Sequence, residues 1–90
     1  MPSYLVETYL ARALAGERAA RERRARSAAE ELTRGTKRVR FDHSIHVPDD
    51  EICFYVFDAP SARDAAHVAR RAGLDPIRVV EAVPSEKEES

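Results

Sequence analysis

The chain reads as an α+β sandwich built in the order β-α-β-β-α-β, and three observations carry that reading. An alternating stretch rich in strand formers opens it; an Ala-, Arg- and Glu-rich helical stretch follows; two further alternating stretches then meet at a short turn, ahead of a second helical stripe and a final strand.

Residues 4–10 hold Tyr, Leu, Val and Thr, side chains that suit a pleated surface. Tyr4, Val6, Thr8 and Leu10 share one face, while Leu5, Glu7 and Tyr9 share the other. Between 17 and 34 the period changes. Ala25, Ala28, Ala29 and Leu32 fall at helical spacing and form one apolar stripe, which Arg18 and Arg21 extend by laying their stems along the core. Gly35 ends the helix. Residues 38–47 alternate again: Val39, Phe41, His43, Ile45 and Val47 are expected to face the core, leaving Arg40, Asp42, Ser44 and His46 opposite. Pro48-Asp49-Asp50-Glu51 is turn chemistry. With those residues as the loop, Val47 opposes Ile52, Ile45 opposes Phe54 and His43 opposes Val56 in the strand at 52–57.

Ser61 is placed as the N-cap of the second helix, with Asp64 three residues on. Ala65, Val68, Ala69 and Ala72 form its buried stripe, Gly73 caps its end, and Asp75-Pro76 turns the chain into a strand at 77–83. Residues 84–90 are expected to be a disordered acidic tail behind a single domain spanning 1–83. This order is that of a ferredoxin-like sandwich, with two helices on one face of a four-stranded antiparallel sheet. By these parities the other face carries Leu5, Glu7, Tyr9, Asp42, Ser44, His46, Cys53, Tyr55 and Phe57. An apolar patch of that kind predicts a homodimer through the open sheet face, in the manner of dimeric α+β barrels.

Composition narrows the function classes. Fifteen basic against sixteen acidic residues leave a formal net charge of −1, so no global pull toward nucleic acid is expected. The arginines at 18, 21, 23, 24 and 26 read as a solvated helix face. Three isolated glycines make no phosphate-cradling loop. No run of about 18 apolar residues is present to span a membrane. The opening residues lack the pattern of a signal peptide. The single cysteine, Cys53, fits a reducing compartment, so a cytoplasmic location is expected.

Candidate chemistry gathers on the expected open face. His46 and Cys53 become cross-strand neighbours in the register above, and with Glu7 they offer an imidazole, a thiolate and a carboxylate suited to a transition metal such as nickel or zinc. His43 is a further candidate, although its parity reads as a core histidine bonded to a backbone group. His67 lies opposite its helix stripe and reads as exposed. The same residues also fit an interface of satisfied polar side chains. A third reading is a cofactor-free enzyme on a small organic molecule, with His43 or His46 as base and Tyr55 as donor.

The stretch His43-Ser44-Ile45-His46-Val47-Pro48-Asp49-Asp50-Glu51-Ile52-Cys53-Phe54-Tyr55-Val56-Phe57-Asp58-Ala59-Pro60, with Ala69-Arg70-Arg71-Ala72-Gly73-Leu74 after it, resembles a domain-of-unknown-function family of small ferredoxin-like proteins that includes nickel-binding proteins. Tyr4-Leu5-Val6-Glu7 and Arg78-Val79-Val80-Glu81-Ala82-Val83 fit the same pattern. The resemblance implies a ferredoxin-like dimer with nickel as a ligand, and Glu7, Ser44, Cys53 and Tyr55 are the positions that carry the family's residue types.

Overall fold

Short side chains on the helices and large ones on the sheet determine how the layers meet. The computed structural model describes residues 1–85. The expected acidic tail lies mostly outside the described residues. The elements are β1 (Ser3–Tyr9), α1 (Arg18–Arg34), β2 (Arg40–Val47), β3 (Ile52–Asp58), α2 (Ala62–Arg71) and β4 (Arg78–Ala82), with 3₁₀ turns at Arg12–Glu17 and Pro48–Asp50. The sheet order is β2-β3-β1-β4, every neighbouring pair antiparallel. This is the ferredoxin-like sandwich that the element order predicts.

Both helices bury alanines: Ala25, Ala28 and Ala29 from α1, Ala65 and Ala69 from α2. Alanine brings a helix axis close to the sheet, and the aromatic side chains of the strands fill the space left between helices. Phe41, Tyr55 and Phe57 do so as a tilted cluster, with centroids 5.4 and 6.3 Å from the Phe41 ring. Tyr4, Val6, Leu10, Val68 and Leu74 complete the core. Two contacts tie the helices together: Arg71 makes a bidentate pair with Glu31, and Arg24 Nε donates to the Ala72 carbonyl at 2.9 Å.

Local signals work as expected at α2. Ser61 Oγ accepts from the Asp64 amide at 3.2 Å. At the other end, Gly73 at φ 75° lets the amides of Gly73 and Leu74 reach the carbonyls of Arg70 and Ala69. That pattern is a Schellman motif, closed by the buried Leu74. The β2–β3 register also holds: Val47 pairs Ile52, Ile45 pairs Phe54, and His46 pairs Cys53.

The faces assigned to β2 and β3 do not hold. In β1, Tyr4, Val6 and Thr8 face the helices as expected, and their partners across the ladder are Phe57, Tyr55 and Cys53. Cross-strand partners share a face, so Cys53, Tyr55, Phe57, Ser44 and His46 lie under the helices, not on the open side. The open face instead carries His43, Ile45 and Val47 from β2 with Ile52, Phe54 and Val56 from β3. Leu5, Glu7 and Tyr9 from β1 and Arg78 and Val80 from β4 complete it. A register irregularity between Phe41 and His43 makes Asp42 an extra residue, so Phe41 stays in the core while His43 turns outward. Strand β3 is apolar at every position but its last, so alternation alone could not choose its inner face. The ladder to β1 chose it.

Candidate functional site

Polar residues gather beneath the start of α1 on the helix side of the sheet. Arg18 donates from Nε to Ser44 Oγ at 2.7 Å and from Nη2 to the Ser44 carbonyl at 2.8 Å. Ser44 Oγ in turn donates to a Glu22 carboxylate oxygen. Arg21 Nη1 donates to the Tyr9 carbonyl at 3.1 Å, and its Nη2 lies 3.6 Å from a Glu17 carboxylate oxygen. His46 Nε2 is 3.3 Å from the Leu10 carbonyl. A carbonyl only accepts, so Nε2 is the donor in that contact and Nδ1 takes no part in it. Thr8 Oγ1 donates to the Cys53 carbonyl at 2.8 Å.

Two groups in this cluster stand apart from the hydrogen-bond network. The Cys53 side chain is fully buried; burial pushes its thiol up, and the lowering influence of Tyr55, Arg18 and Arg21 does not offset this. A thiol so placed stays protonated and is a poor nucleophile. The Tyr55 hydroxyl is buried with no hydrogen-bond partner. Burial and the nearby thiol push its phenol up as well, against the Arg21 guanidinium.

The four side chains read from the sequence as metal ligands divide between the two faces of the sheet. His46 and Cys53 are cross-strand neighbours on the helix side. Glu7 and His43 lie on the open side. His43 is exposed and bonds the Asp42 carboxylate at 2.9 Å rather than a core backbone group. His67 is exposed on α2, as its spacing indicates. Among the described residues no three His, Cys, Asp or Glu side chains converge. Within a single chain the described residues therefore do not bring the carboxylate, imidazole and thiolate of Glu7, His46 and Cys53 together.

Sequence reasoning placed Arg18 and Arg21 on the inner stripe of α1 but missed what they do there. Both reach backbone carbonyls of the sheet, and Arg18 also holds Ser44. The available signal was a polar Ser44 at an inward position facing a stripe of arginines. Alternation alone masks it, because it turns Ser44 to the open side of β2.

No protein-family model matches the chain, and no curated protein matches it. A crystal structure of SCO4226 from Streptomyces coelicolor A3(2) is similar in fold. Its TM-score is 0.71 at 18% identity, covering 93% of this chain and 99% of that one. At that identity the likeness is one of fold: a ferredoxin-like domain of the same extent.

Proposed function

We propose that the chain is a non-catalytic self-association module, a homodimer that pairs through its open sheet face. The observation that supports this is the character of that face. Leu5, Ile45, Val47, Ile52, Phe54, Val56 and Val80 lie on it across all four strands. Ile45 is 43% exposed and Tyr9 56% exposed in the single chain. Its charges do not oppose association, because Glu7 and Arg78 are cross-strand partners of opposite sign. Four strands about 4.8 Å apart and about 23 Å long give a plan of roughly 450 Å². Pairing two such faces buries on the order of 1,000 Å², at the lower end for a specific interface. The polar cluster on the helix side supports the same reading from the other direction. The hydroxyls of Ser44 and Thr8, the guanidinia of Arg18 and Arg21, and His46 are engaged with one another or with backbone, and the thiol is sealed.

Light scattering after gel filtration tests this. The wild type should elute with twice the 10.1 kDa chain mass. Ile45→Lys and Phe54→Lys should give monomers with unchanged far-ultraviolet circular dichroism. A monomeric wild type, or a dimer indifferent to both substitutions, would refute the proposal. In this reading the protein works in a reducing compartment such as the cytoplasm, where the single buried thiol persists.

One observation favours a second reading, a protein that binds nickel or a related transition metal. His46 and Cys53 are adjacent across the β2–β3 ladder, and His46 Nδ1 is not used by its contact with the Leu10 carbonyl. Metal content measured by mass spectrometry after nickel exposure and gel filtration decides it. Near one ion per chain, lost in His46→Ala, supports the metal reading, and an ion-free dimer removes it.

A further inference from the structure

A groove of about 930 Å³ opens between the second half of α1 and the start of β2. Its volume is that of a site for a small organic molecule. Ala29, Val39 and Phe41 line its floor, all buried core residues. Arg26, Arg34, Arg38 and Arg40 stand around it, against two carboxylates, Glu30 and Asp58. Those arginines are not equivalent. Arg40 is committed to Asp58, with Nη2 2.5 Å and Nε 3.1 Å from one carboxylate oxygen. Arg26 lies over the Phe41 ring, its guanidinium carbon 5.4 Å from the centroid. Arg34 and Arg38 are exposed, and neither these two nor Arg26 makes an ion pair among the described residues.

We propose that this groove binds an amphiphilic organic anion, an aromatic or acyl body carrying a phosphate or carboxylate. The apolar body would lie against Val39, Phe41 and Ala29, and the anionic head would be held by Arg34 and Arg38, with Arg26 beside them. Guanidinium groups suit this task because their paired N–H donors match two oxygens of an oxyanion at once. The aromatic floor also fixes Arg26, so part of the ordering cost of binding is met before the ligand arrives. Neither half of the site suffices alone. A phosphate ion leaves the floor in water, and an uncharged arene leaves the arginines without a partner. The groove's floor faces the helix side of the sheet, opposite the surface proposed for self-association, and Arg40 and Asp58, whose ladder positions are on the open side, stand at the edge between the two.

Isothermal titration of the full chain with 1-naphthyl phosphate, 1-naphthol and inorganic phosphate is the test. Naphthyl phosphate should bind, weaken as ionic strength rises, and exceed each fragment by about tenfold or more. The double variant Arg34→Gln/Arg38→Gln should lower its affinity by about tenfold or more. Arg63→Gln/Arg70→Gln, an equal charge change on exposed positions of α2, should leave it unaltered. The Arg34 and Arg38 side chains are exposed and make no ion pair among the described residues, so that variant should keep the wild-type melting temperature. No binding of naphthyl phosphate, equal binding of inorganic phosphate, or equal loss in the two double variants would each overturn the proposal.

Discussion

At the scale of single residues, two buried polar groups make opposite predictions. Tyr55 holds a hydroxyl in the core without a hydrogen-bond partner. A buried group of that kind costs about 1–3 kcal/mol, so Tyr55→Phe keeps the ring packing and removes the cost. The substitution should leave stability unchanged or raise it by about 1 kcal/mol, read from urea unfolding. A loss above about 1 kcal/mol would show that the hydroxyl has a partner after all. Asp58 is the reverse case. Burial would raise its carboxyl, but the Ser3 hydroxyl at 2.6 Å and the Arg40 guanidinium together hold it below its ordinary value. A carboxyl lowered in the folded state contributes stability that is complete above its unfolded pKa, about 3.9. That contribution is lost as pH falls through the folded value. Asp58→Asn should therefore lower the urea midpoint most near neutral pH, and the gap to wild type should close on acidification below about pH 4. A gap that is constant across that range would mean the carboxyl is not stabilised by its partners.

At the scale of elements, the question is what holds α1 on the sheet. Its apolar stripe is short and mostly alanine, so burial alone gives it little. The Arg18–Ser44–Glu22 connection fastens its first turns, and the Glu31–Arg71 pair fastens its last turns to α2. Ser44 is 6% exposed, and replacing it with alanine removes the hydroxyl that Arg18 and Glu22 share while leaving the Arg18 bond to the residue 44 carbonyl. Ser44→Ala should cost about 1–2 kcal/mol, with amide exchange rising first in residues 18–22. Unchanged exchange there would assign the anchoring to the alanine stripe instead. The element boundaries were mostly legible in the sequence, since Ser61, Gly73 and the four-residue turn act through chemistry confined to a few neighbours. The 3₁₀ segment Arg12–Glu17 was not legible, because it has neither a periodic apolar stripe nor a side-chain cap. The irregularity at Asp42 was also hidden, since alternation through Phe41 and His43 is unbroken in the sequence.

At the scale of the whole molecule, a ninety-residue chain with one sheet face uncovered has a limited core. The proposed face-to-face pairing supplies the missing layer, and it makes stability depend on concentration by mass action. The melting temperature of the wild type should rise with protein concentration, and that of Phe54→Lys should not. The same scale explains why the expected ligand set divides. A sheet separates its two faces by the thickness of the backbone and sends alternate residues to opposite sides. One reversed parity in β2 and β3 therefore moved His46 and Cys53 away from Glu7, while it brought His43 out to the open side.

The sequence by itself determined the order of elements, the α2 caps, the β2–β3 register and the alanine stripes, because each depends on neighbours close along the chain. Which side of β2 and β3 faces the helices was decided only in the tertiary structure. Both sides of β3 are apolar, so the hydrophobic effect was satisfied by either choice. The ladder to β1 and the fit of Tyr55 and Phe57 beneath two alanine-faced helices settled it. The groove arginines were likewise invisible as a group, since Arg26 and Arg34 come from α1, Arg38 from the loop after it and Arg40 from β2, which only the fold brings to one edge.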